Sequence, residues 1–239
     1  ERSWSSARSP AQRSGAASTG QATQATRKMA DASSNVVDLS PHSVKGAHLQ
    51  GMAAYKELYE ESLRDPEGFW GRQGRELLTW EHPFDKTLQG SFEDGDIAWF
   101  AGGKINACVQ CLDRHVEQGK ADDVAIIWEA DEPGKAQTFT FKEVLHQVCR
   151  IANVLKKWGV KKGDPVTIYM PMVPEIAFVM LACVRIGAPH SVVFAGFSAD
   201  ALRDRIVDVH SKYVFTTDEG LRGGRTIALK KCVDASIKE

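Results

Sequence analysis

Two short segments carry residue types that could bind a phosphorylated ligand. The first, Arg222-Gly223-Gly224-Arg225, places two guanidinium groups three residues apart across a glycine pair. Each guanidinium offers directed, charged hydrogen bonds that suit a phosphate. The second, Phe194-Ala195-Gly196-Phe197, contains a glycine that would let a ligand lie against the backbone. Taken alone, neither pattern is specific, and the arginine segment also fits a flexible, solvated surface loop.

Four other residues have side chains capable of catalysis or metal binding. Cys108 and Cys111 form a CxxC pair, but no second CxxC and no His pair at ligand spacing accompanies it. Both cysteines fall in a helical pattern, so we interpret them as packed, small apolar residues rather than a zinc or redox site. His190 could be a base and Glu175 an acid, yet the patterns favour a hydrogen-bonded core residue and a first-turn residue that stabilises a helix dipole.

Common nucleotide and hydrolase motifs are missing from the chain. There is no GxxxxGK[ST], no Gly-x-Ser-x-Gly and no His-Glu-x-x-His. The segment that follows Met170 reads Pro-Met-Val-Pro, where a dinucleotide fingerprint needs glycines. These observations argue against a P-loop enzyme, a nicotinamide-dependent enzyme, a serine hydrolase and a zinc protease.

The elements that position both candidate segments form a regular alternation. Short apolar, β-branched runs alternate with helix-length segments, which predicts βαβ units and a parallel sheet covered on both faces. The expected order is a strand over 166–170, a nearly all-round buried helix from Pro174 to Gly187, a strand over 191–194, a helix capped by Ser198 with Leu202 and Ile206 on its apolar face, and a strand over 213–216. Because open α/β sheets bind ligands beyond the carboxyl ends of their strands, both candidate segments lie at the favoured edge.

Upstream of this alternation the sequence predicts a hairpin and two helices. The hairpin strands are 124–128 and 137–139. Thr140 and Glu143 form a capping box for a helix that ends at Gly159, with an apolar stripe of Val144, Val148, Ile151, Leu155 and Trp158. Met52, Tyr55, Tyr59 and Leu63 predict an amphipathic helix that ends before Asp65-Pro66.

Composition excludes several classes of protein. The chain has 239 residues, of which 43% are hydrophobic and 26% charged, with a net charge of −1. This is ordinary globular composition without the basic excess of a nucleic-acid-binding protein. Five cysteines, an odd number, favour a reducing compartment over a disulfide framework. No apolar run reaches the roughly 18 residues that indicate a membrane-spanning helix, so we expect neither a nucleic-acid nor a membrane partner.

The chain divides by composition into three parts. Residues 1–34 have almost no large apolar side chain and are predicted to be disordered. They are Arg-rich, Ser-rich and nearly free of acids, which is typical of a plastid or mitochondrial transit peptide; alternatively Met29 is the true start and the protein is cytoplasmic. Residues 35–103 form an aromatic-rich arm, and residues 104–239 form the α/β part.

A set of motifs over residues 55–233 resembles the acetyl-CoA synthetase family, the acetate–CoA ligases of the adenylate-forming (AMP-binding) superfamily. The principal matching segments are 101–103, 111–115, 125–129, 159–164, 168–175, 180–183, 185–188, 190–194, 196–198, 218–220 and 222–225. The resemblance implies an N-terminal arm followed by the first parallel α/β subdomain of an adenylate-forming enzyme.

The resemblance also implies a reaction and a set of ligands. Acetate would attack ATP to give acetyl-AMP and pyrophosphate, with Mg²⁺ balancing phosphate charge, and the thiol of CoA would then attack acetyl-AMP. Arg222 and Arg225, with Gly223 and Gly224 between them, would hold the phosphorylated nucleotide end of CoA. The Phe194–Phe197 turn would line the path of CoA; because Ala195 replaces a glycine common in relatives, Phe194 and Gly196 are the residues expected to do so.

Other functional parts of the family follow the region that this sequence matches. The ATP loop, the acetate pocket and the catalytic lysine lie further along in relatives, so we assign no catalytic residue and no metal ligand here and expect an N-terminal piece of a ligase more than twice as long. Since acyl size is also set there, a propionate–CoA or other short-acyl-CoA ligase is an alternative. A non-catalytic CoA- or nucleotide-binding module is another.

This expectation predicts the outcome of a half-reaction assay. The 239-residue polypeptide alone should catalyse no acetate-dependent exchange between ATP and pyrophosphate. The protein expressed from the complete coding sequence is the positive control. Measurable exchange by the polypeptide would show that the adenylation machinery lies within these residues.

Overall fold

The computed structural model describes residues 45–238. The chain divides into two units, residues 1–52 and 53–239. Of the first unit the structure describes only residues 45–52, a turn that leads into a helix. The predictions for residues 1–34, and the start of the predicted arm, lie outside the described residues. Within residues 45–238 no helix is both long and apolar enough to cross a membrane.

The aromatic-rich arm folds as two helices and a hairpin. Helices α1 (Gly51–Arg64) and α2 (Pro66–Leu77) are followed by the antiparallel strands β1 (Lys86–Ser91) and β2 (Asp96–Ala101). The predicted end of α1 before Asp65 is confirmed, and the Asp65 carboxylate caps α2 by accepting from the Gly68 amide at 3.0 Å. The predicted apolar side chains of α1 (Met52, Tyr55, Tyr59 and Leu63) are nevertheless exposed.

The CxxC pair lies at the start of a π-helical segment, whereas the sequence pattern indicated an α-helix. Two π-helical segments, Val109–Asp113 and Val116–Lys120, follow the arm. Cys108 is fully buried as predicted, but Cys111 is exposed, so its interpretation as a packed residue is wrong. The reason is geometric: i→i+5 winding changes which side chains share a face.

The predicted hairpin and capping box are confirmed. Strands β3 (Val124–Trp128) and β4 (Gln137–Thr140) pair antiparallel. The Thr140 hydroxyl accepts from the Glu143 amide, and the Glu143 carboxylate accepts from the Thr140 amide, at the start of helix α3 (Phe141–Lys157). Val144, Val148 and Leu155 are buried, but Trp158 is 74% exposed. Trp158 follows the last residue of α3, at the margin of the apolar stripe, and is therefore not covered.

The predicted parallel sheet has the strand order β6-β5-β7. Its strands are β5 (Val166–Tyr169), β6 (His190–Val192) and β7 (Tyr213–Thr216), joined by helices α4 (Pro174–Ile186) and α5 (Ala199–Asp208). Helix α4 ends at Gly187 in the left-handed region as expected, and only Glu175 within it is exposed. Strand β6 stops two residues earlier than predicted, because the Val193 amide makes a last bond to Ile168 and the chain then turns at Phe194.

Both faces of the sheet are covered, as the alternation predicted. Val166 and Ile168 of β5 face a core that includes α3 and α4. Tyr169 belongs to a second core that includes Leu202 of α5. Beyond β7 a hairpin of β8 (Gly220–Arg222) and β9 (Arg225–Ile227) leads to helix α6 (Leu229–Ser236), which packs into the second core.

The connections reverse the direction of strand addition at the central strand of the sheet. The chain leaves β5 for β6 on one side and then crosses to β7 on the other side. The order of the strands therefore reverses at β5, and open α/β sheets hold ligands beyond the carboxyl ends of the strands at such a reversal.

The second core gives a stability prediction. Leu202→Ala should lower the free energy of unfolding by about 2–5 kcal/mol, because Leu202 is fully buried and its loss leaves a cavity. Val207→Ala, an exposed position of the same helix, is the control and should change it by less than about 0.5 kcal/mol. Urea unfolding measures both, and equal effects of the two substitutions would contradict the core assignment.

Candidate functional site

Tyr169, the last residue of β5, makes hydrogen bonds to the loop after β6 and to the end of β7. Its phenol donates to the carbonyl oxygen of Phe197, in the loop after β6, at 2.9 Å. The hydroxyl of Thr216, the last residue of β7, donates to the Tyr169 carbonyl at 2.7 Å. The loop after β6 and the end of β7 are thus held to the central strand.

The environment of the Tyr169 phenol keeps it a hydrogen-bond donor. Burial first, and then the neighbouring thiol of Cys232 at 3.5 Å, raise the pKa of Tyr169 well above its ordinary value. The phenol therefore stays protonated across the neutral range. The Phe197 carbonyl oxygen can only accept a hydrogen bond, so this contact requires the protonated Tyr169 hydroxyl as its donor.

The segment Phe194–Phe197 forms a compact turn with two aromatic rings. The Phe197 amide donates to the Phe194 carbonyl at 3.0 Å, and the two rings meet edge to face with centroids 5.7 Å apart. Phe194 remains 53% exposed and Phe197 39% exposed. Both rings therefore offer apolar surface to a ligand at the carboxyl edge of the sheet.

Gly196 is required by its neighbours. A Cβ at this position would lie 2.6 Å from Cε1 of Phe194 and 3.0 Å from Nη1 of Arg222. The space beside the glycine, where the sequence suggested a ligand, is thus taken by a phenyl ring and a guanidinium group. Because Gly196 has no side chain, the Phe194 ring and the Arg222 guanidinium can pack against each other beside it.

The arginine segment is a hairpin turn rather than the flexible link that the sequence suggested. Arg222 and Arg225 are direct cross-strand partners at the end of β8 and the start of β9. Gly223 and Gly224 have φ values of 56° and 73°, a conformation that a two-residue hairpin turn demands and that favours glycine. The turn therefore fixes the backbone positions from which both guanidinium groups extend.

A contact from a distant part of the chain anchors this turn. The Gly223 amide donates to the Asp131 carboxylate at 2.8 Å. Asp131 lies between β3 and β4, and 92 positions separate the two residues. The β3–β4 hairpin therefore holds the arginine turn in place.

Cation–π contacts join the two candidate segments. The guanidinium carbon of Arg222 lies 4.9 Å from the centroid of the Phe194 ring. A second guanidinium, that of Arg205 in α5, lies 4.5 Å from the Phe197 centroid. The structure thus brings Phe194, Gly196 and Arg222 together. The sequence predicted only that their two segments lie at the same edge of the sheet.

Neither candidate arginine forms an ion pair with a described carboxylate. Within residues 45–238 no ion pair includes Arg222 or Arg225, and both are exposed. The Arg222 guanidinium keeps hydrogen-bond donors free while it stacks on a ring, since a stacked guanidinium bonds through its edge. Two exposed cations on a fixed turn can bind a phosphate.

The other candidates lie elsewhere. His190 is the first residue of β6, at the opposite end of the strand from the Phe194 turn, and burial lowers its pKa. Glu175 lies in the first turn of α4 and lines a cleft of about 660 Å³ whose rim also includes Asp131 and Asp218. In the described part of the chain no group of three or more His, Cys, Asp or Glu side chains is placed to hold a metal ion.

Sequence reasoning missed three residues of this site. Tyr169 carried a signal, because it places a hydroxyl at the carboxyl end of a fully buried strand. Asp131 lies between the two predicted hairpin strands, and Arg205 lies in the predicted helix that Ser198 caps. Nothing near either residue in the sequence indicates its long-range partner.

Comparisons with known proteins cover almost all of the described chain. The family described as "Acetyl-coenzyme A synthetase N-terminus" matches residues 55–111, and the family described as "AMP-binding enzyme" matches residues 112–238. These two matches are contiguous, with the arm in the first and the parallel sheet in the second.

Curated proteins from fungi and bacteria are similar to the same region. An acetyl-coenzyme A synthetase of Emericella nidulans is 55% identical over 194 residues, which is 81% of this chain and 29% of that protein. The acetyl-coenzyme A synthetase of Penicillium chrysogenum is 53% identical over 194 residues, with the same coverage. That of Serratia proteamaculans is 50% identical over 200 residues, 83% of this chain and 30% of that protein.

The chain thus spans less than a third of the length of these relatives. The match to the second family covers more than half of the chain. The chain therefore belongs to the AMP-binding enzyme family, and within that family it corresponds to the N-terminal region of acetyl-coenzyme A synthetases.

Proposed function

We propose that this chain supplies the coenzyme A nucleotide site of an acetate–CoA ligase. In the proposed reaction acetate attacks the α-phosphate of ATP and releases pyrophosphate. The CoA thiol then attacks the carbonyl carbon of acetyl-AMP and displaces AMP. The observation that carries the site assignment is the convergence of Arg222, Phe194 and Gly196, with Arg225 across the turn, at the carboxyl edge of the parallel sheet.

The proposal assigns the phosphorylated end of CoA to the two arginines. The nucleotide end of CoA carries a 3′-phosphate and a pyrophosphate, so it presents several anionic oxygens close together. Two arginines that face each other across a fixed hairpin turn can donate charged hydrogen bonds to such a group without first ordering a loop. Their lack of carboxylate partners among the described residues leaves both charges for the ligand.

The Phe194–Phe197 turn is proposed to form one wall of the path that CoA takes. Its two rings are partly exposed, and its backbone is fixed by the Tyr169 phenol. An apolar, immobile wall suits the uncharged arm that links the nucleotide of CoA to its thiol. Phe194 serves both roles, because its ring also supports the Arg222 guanidinium.

The first half-reaction belongs to groups outside this site. The family assignment supports ATP and acetate as substrates. We propose Mg²⁺ as the ion that balances phosphate charge. Among residues 45–238 no cluster of His, Cys, Asp or Glu side chains is placed to hold this ion. What these residues do is bind and orient CoA.

Removal of either arginine should separate the two half-reactions. In the protein expressed from its complete coding sequence, Arg225→Ala and Arg222→Ala should each raise the KM for CoA about tenfold or more, since a charged hydrogen bond contributes about 1.5–3 kcal/mol. Acetate-dependent ATP–pyrophosphate exchange should stay near the wild-type rate. Steady-state kinetics and exchange measure the two effects.

A matched control tests for a simple loss of positive charge. Lys231→Ala removes one cation from the exposed surface of α6 and should leave the KM for CoA unchanged. Equal damage to both half-reactions by the arginine variants would indicate a folding role and would contradict the site assignment.

The anchor of the arginine turn gives a second prediction. Asp131→Ala should raise the KM for CoA roughly two- to tenfold, because the Gly223 amide loses its charged acceptor and the turn loosens. Asp131→Asn keeps an acceptor oxygen and should have a smaller effect.

Glu132→Ala is the control for electrostatics, because it removes the same charge from the same turn, and Glu132 pairs with Lys135 rather than with the arginine turn. If Asp131→Ala and Glu132→Ala instead both lowered the KM for CoA, repulsion of the ligand would be the role of Asp131 and the anchoring role would be wrong.

A further inference from the structure

Helix α5 places a third arginine against the aromatic pair. The guanidinium carbon of Arg205 lies 4.5 Å from the Phe197 ring centroid, a closer approach than that of Arg222 to Phe194. Its Nη1 donates to the Ala201 carbonyl of its own helix at 2.8 Å. No ion pair within residues 45–238 includes Arg205. Its side chain is thus directed to a ring and to its own helix rather than to a carboxylate.

The contacts form a continuous series across the site. Arg205 lies over Phe197, Phe197 meets Phe194 edge to face at 5.7 Å, and Phe194 lies under Arg222. The four members belong to three elements: Arg205 to α5, the two rings to the loop after β6, and Arg222 to the end of β8. The orientation of one ring therefore restricts the next group in the series.

Backbone contacts alone leave the Phe197 ring free to rotate. Tyr169 holds the carbonyl oxygen of Phe197, and the Phe197 amide bonds to Phe194, but neither bond restricts the side-chain torsions. Helix α5 starts at the next residue but one, with Ser198 as its N-cap, and is anchored by the fully buried Leu202. Arg205 is therefore on a rigid support one helical turn beyond Leu202, where it can hold the ring.

We propose that Arg205 is a positioning residue for coenzyme A: it fixes the Phe197 ring, and through Phe194 it fixes the Arg222 guanidinium. This inference rests on the proposed function of the arginine turn. It assigns Arg205 no direct contact with the ligand. Its effect must therefore depend on the Phe197 ring, which distinguishes it from a third phosphate-binding arginine.

A double-mutant cycle in the protein expressed from its complete coding sequence tests the proposal. Arg205→Ala should raise the KM for CoA about two- to fivefold, the loss expected for one exposed cation–π contact, with acetate-dependent ATP–pyrophosphate exchange unchanged. Arg205→Lys, which keeps a cation over the ring, should restore most of the affinity. Phe197→Leu should raise the KM similarly, and Arg205→Ala added to Phe197→Leu should have no further effect.

Two further measurements make the cycle decisive. Arg203 lies on the same helix and pairs with Asp200 and Asp204. Arg203→Ala removes this cation and should leave the KM for CoA unchanged. The dependence of CoA binding on salt concentration should be the same for Arg205→Ala and wild type, because no charged contact to the ligand is lost.

Each outcome decides between defined alternatives. An equal effect of Arg205→Ala in the wild-type and Phe197→Leu backgrounds, with a weaker salt dependence, would overturn the positioning role in favour of direct phosphate contact. No effect of Arg205→Ala, while Arg222→Ala raises the KM for CoA, would overturn this inference and leave the proposed function standing. If Arg222→Ala had no effect either, the proposed function itself would fail.

Discussion

The hydrogen bond from the Tyr169 phenol to the Phe197 carbonyl is the constraint on which the candidate site depends. It joins the end of the central strand to the loop after β6, and the Thr216 hydroxyl joins the end of β7 to the same residue. Because Tyr169 is almost fully buried, its hydroxyl must find a partner or leave a costly unpaired group. The need to satisfy one buried donor thus sets the position of the aromatic turn.

The two arginines of the site, Arg222 and Arg225, are positioned by the backbone conformation of the turn between them. Gly223 and Gly224 adopt positive φ values, so the turn is compact and its two arginines are cross-strand neighbours. The Asp131 carboxylate then fixes the turn against the β3–β4 hairpin. The like charges of these cross-strand neighbours repel each other, and an anion that binds between them offsets the repulsion. A pair of this kind is more useful for binding than for stability.

The order of elements was predictable from local patterns, and the failures were also local. The hairpin, the capping box and the helix stop at Gly187 were correct, because each depends on side chains a few residues apart. Trp158 fits the apolar stripe by spacing yet lies past the last turn of α3. Cys111 was misplaced because π-helical winding cannot be recognised from a 3.6-residue period.

The sequence by itself determined that this chain alternates strands and helices, that two arginines flank a glycine pair, and that its motifs resemble one enzyme family. Only the tertiary structure decided which groups meet: Arg222 with Phe194, Arg205 with Phe197, and Gly223 with an aspartate 92 positions away. The physical reason is range. Helix caps, turns and periodic faces are fixed by neighbours in the chain, whereas a binding site at a sheet edge is assembled from loops whose meeting depends on the strand order β6-β5-β7.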